Sequence, residues 1–222
     1  MKLIIFDFDG TLVDSQRMII SAFRNAAKTV GLAIPERNSV LNTIGLSLKE
    51  SIIKMFPDLP PVSLDKLTDE FQRAFLEIRS SSCKKSLSSP YLGVVPFLEN
   101  LSKKPDYILA IASGKTSVGL QFDLDLHGLG KFFKNIQTCD FHPSKPDPTM
   151  LETCLKETGT KPCNAIMVGD TSYDIEMAKA VPMKSIGVTW GYHARHALKD
   201  ARPDSLVNSF EELERIIYEM MS

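Results

Sequence analysis

The chain has 222 residues and a mass of 24.7 kDa, enough to bury about 70% of the surface its unfolded form exposes, so it needs no disulfide or structural metal to fold. Its 26 Lys and Arg against 27 Asp and Glu give a net charge of −1, which leaves no basic footprint for nucleic-acid phosphates. Apolar residues at 43% and charged residues at 24% are ordinary globular values and exclude a disordered or fibrous chain.

Leu3-Ile4-Ile5-Phe6 is a short apolar run that Asp7 ends and the turn pair Asp9-Gly10 follows, which predicts a buried strand. Then the period changes. Ile19, Phe23, Ala26 and Val30 recur at helical spacing, with Asp14 or Ser15 available as N-cap. Leu48, Ile52 and Met55 predict a shorter helix closed by Pro57. Leu64, Leu67, Phe71, Phe75 and Ile78 predict a third helix, facing a core of its own. No strand pattern lies between about residues 16 and 87, so this stretch reads as an all-helical insert. Residues 80–89, SSSCKKSLSS, form a polar connection back, with residues 12–15 as the counterpart. Two connections returning to one place suit a hinged lid, or otherwise a fixed helical subdomain.

Beyond the insert, apolar runs at 107–112 (YILAIA), 135–138, 165–168 (AIMV), 185–189 (SIGVT) and 206–207 predict further strands. A last helix is expected over 211–221. Hydrophobicity within these runs is continuous rather than alternating, as in a parallel sheet covered on both faces. The expected fold is a doubly wound α/β core, residues 1–14 and 90–222, with an inserted helical cap at 15–89.

The cysteines are Cys83, Cys139, Cys154 and Cys163, with no C-x-x-C pair, which suits reduced thiols in the cytoplasm. The N-terminal apolar run is too short for a signal peptide or a membrane span. No membrane and no nucleic-acid partner is expected, and the chain reads as a monomer or weak dimer.

Chemistry concentrates at the strand ends. Asp7 and Asp9 are two apart on the first strand, so both carboxylates point to one side at the end where open α/β sheets place ligands. Close carboxylates repel unless a cation or a proton separates them, so the pair suits a hard cation such as Mg²⁺ plus one acid/base group. A plain Asp-Gly turn is the equally weighted alternative. Gly10 permits a tight turn and Thr11 adds a hydroxyl. Asp170 follows the fourth long run and Asp174 comes four residues later, near the start of a helix; Asp170 would add a third carboxylate to the crevice, and the alternative is that either Asp170 or Thr171 simply N-caps that helix. Ser113 and Gly114 end the second run, where a hydroxyl and backbone N–H groups can meet an anion. Pro146 keeps Lys145 in a loop, where its charge could face a phosphoryl group. His193 and His196 have metal-like spacing but no third ligand nearby, and read as an exposed helix start. Trp190 reads as core or wall, and Lys49 as a cap residue that could face the site on closure.

The order Asp-x-Asp, Ser, Lys, Gly-Asp-x-x-x-Asp, each after a successive strand, resembles the haloacid dehalogenase-like (HAD) superfamily. DFDGTLVDS at 7–15 and GDTSYDIEMA at 169–178 carry the resemblance, with Ser113 and Lys145 between them. It is to the helical-cap branch, which includes phosphoglycolate phosphatases and β-phosphoglucomutase. Leu92 and Val181-Pro182 depart from the family pattern, outside the catalytic motifs. The resemblance implies a Mg²⁺-dependent phosphatase of a small phosphorylated metabolite, phosphoglycolate being the first guess. It implies Asp7 as nucleophile and Asp9 as acid and base. Asp7, Asp9 and Asp170 would hold the metal; Ser113, Gly114 and Lys145 would hold the phosphoryl group; Asp174 and Thr11 would support them. A phosphosugar mutase would use the same residues, a dehalogenase would need neither Asp9 nor the metal carboxylates, and a non-catalytic binder of this fold would be expected to lack a motif residue.

Overall fold

A computed structural model describes residues 1–81 and 87–222. Six parallel strands form one sheet: β1 (Lys2–Phe6), β4 (Tyr107–Ser113), β5 (Asn135–Thr138), β6 (Ala165–Gly169), β7 (Lys184–Val188) and β8 (Ser205–Val207). Their order is β5-β4-β1-β6-β7-β8, so β1 lies centrally, between β4 and β6. The order reverses at β1, and the crevice at its C-terminal end is the ligand position of open α/β sheets. All of Leu3, Ile4, Ile5 and Phe6 are fully buried, because helices cover both faces. Alternate residues supply two apolar layers. Ile4 and Phe6 face one, built with Phe97, Leu98 and Leu213; Leu3 and Ile5 face the other, with Met150, Leu151 and Met177.

The predicted helices of the insert are α1 (Gln16–Val30), α3 (Leu48–Met55) and α4 (Pro61–Ser80). A short α2 (Arg37–Leu41), which the periodicity did not resolve, lies between the first two. These helices close around a third apolar cluster of their own, in which Phe23 meets Phe71 with ring centroids 4.4 Å apart. The chain enters the insert through β2 (Val13–Asp14) and leaves it through β3 (Ser89–Pro90), which pair antiparallel as a two-stranded ribbon. The fold is an α/β core with an inserted all-helical cap. Most of the serine-rich connection, with Cys83, Lys84 and Lys85, lies outside the described residues.

Flanking the sheet are α5 (Val94–Ser102), α6 (Ser117–His127), α7 (Thr149–Thr158), α8 (Ser172–Ala180), α9 (Arg195–Ala201) and α10 (Phe210–Met221). Among the described residues no helix is long and apolar enough to cross a membrane.

Candidate active site

Asp7 follows β1 directly, and its amide donates to the carbonyl of Val168 on β6 at 2.9 Å, which carries the sheet pattern one residue beyond the strand. Gly10 then turns the chain at φ +87°, and a Cβ there would collide with the carboxylate of Asp170. Only glycine lets the first motif approach the end of β6 so closely. Thr11 donates its hydroxyl to Asp170 Oδ1 at 2.9 Å, and the Tyr192 amide donates to Oδ2 at 2.8 Å.

Asp7, Asp170 and Asp174 are buried, and one carboxylate oxygen from each lies within 4.8 Å of the others. The Lys145 ammonium, also buried, contacts Asp7 Oδ1 at 2.9 Å and Asp174 Oδ1 at 2.7 Å. Burial works against its charge, yet Asp174 and Asp7 hold its pKa above the ordinary lysine value. Asp174 Oδ2 accepts from the amide and the hydroxyl of Thr171, a capping box at the start of α8. Of the two candidate N-caps, Asp170 and Thr171, the structure has Thr171, while Asp174 both completes the capping box and contacts Lys145.

Asp7 Oδ2 is buried and has no hydrogen-bond partner among the described residues. Burial, opposed in part by Lys145 and reinforced by Asp174 and Asp9, pushes the Asp7 carboxyl up to about 7. Asp170 is raised well above the usual carboxylate range by burial and by the charges of Asp7 and Asp174. An orphaned carboxylate oxygen beside a second buried carboxylate fits a hard divalent cation, whose preferred donors are oxygens. The residues present fit Mg²⁺.

Asp9 has different neighbours. Lys115 Nζ reaches both of its oxygens at 2.8 Å, and Ser15 donates its hydroxyl to Oδ1. Ser15 occupies the N-cap position of α1, but its hydroxyl serves Asp9, and Asp14 takes the Gln16 amide at 3.2 Å instead. Tyr192 holds Ser15 in turn, accepting from the Ser15 amide at 2.8 Å. Lys115 also contacts Asp123 Oδ2 on α6 at 2.9 Å, and Asp123 meets Arg79, at the C-terminal end of cap helix α4, at 3.0 Å. This ion-pair chain from Asp9 to the cap was not foreseen. A Lys one residue after Ser-Gly looks like a surface charge until the fold brings α6 and α4 beside it.

Ser113 and Gly114 line the same cavity as Asp7 and Asp9, of about 820 Å³, between core and cap. Gly114 faces the backbone carbonyls of Gly45 and Leu46 in the cap so closely that a Cβ could not fit. Lys49 also lines the cavity, but its side chain is 62% exposed and pairs with Asp65 at 3.2 Å. Trp190 packs at the edge of the core: its ring lies 4.6 Å from that of Phe210 and its indole donates to the Thr11 carbonyl at 3.1 Å. The expected exposed start at His193 is corrected. His193 is buried, with Nδ1 accepting from the Ser172 amide at 3.1 Å, while His196 is exposed on α9, and the two share no metal cluster among the described residues.

A parallel sheet with its acidic crevice at the C-terminal end of the central strand, roofed by a helical insert, defines a doubly wound α/β protein with a helical cap. Residues 4–188 match the family model described as haloacid dehalogenase-like hydrolase, and the chain belongs to that family. It is 34% identical over 95% of its length to the probable phosphatase IndB of Dickeya dadantii, covering 91% of that protein. It is 31% identical to pyrophosphatase PpaX of Bacillus velezensis, over 96% of this chain and 94% of that one. Phosphoglycolate phosphatase of Agrobacterium fabrum is 29% identical, over 99% and 93%. Among solved structures, a predicted phosphoglycolate phosphatase from Haemophilus somnus 129pt superposes with TM-score 0.86 at 26% identity, over 97% of each chain. The expectation of a phosphoric monoester hydrolase agrees with this family and these relatives.

Proposed function

We propose that the protein is a Mg²⁺-dependent phosphatase that hydrolyses a small phosphomonoester through an aspartyl phosphate on Asp7. The observation that carries this reading is Asp7 itself: a buried carboxylate lining a cavity, one oxygen held by Lys145 and the other without a partner among the described residues. Asp7, the backbone carbonyl of Asp9 and Asp170 would hold Mg²⁺, which when bound offsets the negative charge shared by carboxylate and phosphoryl group.

An Asp7 oxygen attacks phosphorus, the bond from phosphorus to the ester oxygen breaks, and Asp9 delivers a proton to the departing alcohol. Asp9, now ionised, takes a proton from water as the water oxygen attacks phosphorus. The bond from phosphorus to Asp7 then breaks and inorganic phosphate leaves. Lys115 and Ser15 fix where the Asp9 carboxylate sits during both proton transfers. The Ser113 hydroxyl, the Gly114 amide and Lys145 hold the phosphoryl oxygens, Asp174 orients Lys145, and Thr11 orients Asp170. The cap excludes bulk water and supplies the wall on which the organic group rests. Phosphoglycolate and pyrophosphate, for which relatives are named, are the first substrates to assay beside para-nitrophenyl phosphate. Turnover of para-nitrophenyl phosphate that needs Mg²⁺, stops with EDTA and vanishes in Asp7→Asn supports the reading. Turnover that is metal-independent, or retained in that variant, contradicts it.

A further inference from the structure

The phosphoryl site occupies one end of a cavity of about 820 Å³, far more than a two-carbon leaving group fills. Thr43, Ser47, Thr68, Gln72 and Thr116 put polar groups in the rest of the wall, but most of its area is apolar. Ile19 and Phe23 of α1, Ile44 of the cap loop, and Phe71 and Phe75 of α4 line it. At its rim stand Leu76, Val118 and Phe141, which are 61%, 76% and 76% exposed. Three of the large apolar side chains that this protein leaves in solvent thus gather at one opening.

The buried cations of the wall are already matched. Lys115 and Arg79 alternate with Asp9 and Asp123 in a chain of contacts of 2.8–3.0 Å, two positive and two negative charges. The Phe75 ring lies against both cations, its centroid 4.5 Å from the Arg79 guanidinium carbon and 5.7 Å from Lys115 Nζ. Lys49 has its own partner in Asp65, and Asp140 adds a further negative charge to the lining. Among the described residues Arg79 Nε has no acceptor, which leaves one donor for a neutral oxygen but no net charge for an anion. A second anionic group in the substrate would lose its water here without gaining an unmatched cation among the described residues, a costly transfer.

We infer that the leaving group this cavity selects is an uncharged, largely apolar alcohol, aryl or alkyl and longer than two carbons, rather than a short carboxylate such as glycolate. The inference rests on the phosphatase reading above and narrows its substrate. It follows from one juxtaposition: a phosphoryl site whose adjoining wall is aromatic and aliphatic and whose wall cations are spent on internal carboxylates.

The test compares kcat/KM for 2-phenylethyl phosphate and hexyl phosphate with that for 2-phosphoglycolate. Neither apolar alcohol is a better leaving group than glycolate, so a preference for them reports binding to the wall. One methylene in an apolar pocket changes discrimination about 10–200-fold, so the apolar esters should lead by about tenfold or more. The exposed rim variant Leu76→Arg adds an unmatched cation without touching the core, and should narrow that lead several-fold. Independently of turnover, 2-phenylethylphosphonate should raise the melting temperature more than phosphonoacetate does. Para-nitrophenyl phosphate turned over, with phosphoglycolate preferred to both apolar esters, overturns the inference and leaves the phosphatase reading standing. An equal thermal response to the two phosphonates, or an unchanged ratio in Leu76→Arg, also overturns it. Absence of turnover of every phosphomonoester overturns both.

Discussion

Asp7 and Asp9 lie two residues apart and have unlike surroundings. Asp7 shares Lys145 with Asp174 and keeps one oxygen free of protein partners; Asp9 has Lys115 across both oxygens and Ser15 on one. The proposed division of roles, Asp7 as nucleophile and Asp9 as acid and base, rests on that difference. Asp9→Asn should slow turnover by about 10²–10⁴-fold, the usual contribution of a positioned acid/base group. The loss should be smaller for formation of the phosphoenzyme from para-nitrophenyl phosphate, whose leaving group needs little protonation, in single-turnover measurements. Lys115→Met should lower kcat by about 10- to 100-fold with little change in KM, because it frees the Asp9 carboxylate to rotate away. Partial rescue by Lys115→Arg would separate positioning from a general loss of structure, and a normal kcat in Lys115→Met would contradict the assignment. The aspartates, Ser113 and Lys145 were legible in the sequence because their order along successive strand ends is distinctive. Lys115, Asp123, Arg79 and Tyr192 were not, since each needs a partner 44 or more residues away, or packing against a separate loop, to acquire a role.

Among the elements, α4 does two jobs. Its apolar face closes the cap cluster, and its last turn carries Arg79 down to Asp123 on α6. Arg79 and Asp123 are 6% and 1% exposed, so removing one partner leaves buried charge behind. Asp123→Asn, which strips Arg79 and Lys115 together of a counter-charge, should cost about 3–5 kcal/mol of stability. Urea denaturation of the variant against the wild type would read this as a lower midpoint at unchanged slope. A midpoint within error of wild type would show that the pair is solvated and contributes little. The helices of the insert were readable from their 3.6-residue period. Helix α2 was not, because five residues with two buried positions hold no period. The ribbon formed by Val13–Asp14 and Ser89–Pro90 was equally hidden, since two-residue strands carry no pattern and their pairing spans 75 or more residues.

For the whole molecule, an acidic crevice that binds Mg²⁺ would link metal, protons and stability. The Asp7 carboxyl is raised from the ordinary 3.8 to about 7 in the metal-free protein. Between those values the folded state holds more protons than the unfolded one, so this group's contribution to stability falls as pH rises through the window. Bound Mg²⁺ favours the ionised carboxylates and competes with those protons. Saturating Mg²⁺ should therefore raise the melting temperature more at pH 8 than at pH 5, and Asp170→Asn should abolish most of the shift. A shift independent of pH would contradict the coupling. The parallel α/β sheet and the helical insert were legible in the run of apolar segments and the change of period after the first strand. The cap's apolar chamber was not, because the residues lining it are the same Phe and Ile that the helical period assigns to a core.

The central claim is that Asp7 carries the phosphoryl group in mid-reaction, and the most direct measurement looks for it there. The Asp9→Asn variant should form the aspartyl phosphate from para-nitrophenyl phosphate and fail to hydrolyse it. An acid quench during turnover, followed by mass spectrometry, should find one added phosphoryl group on the peptide that contains Asp7. An unmodified Asp7 peptide, in a variant that still releases para-nitrophenol, would contradict the account.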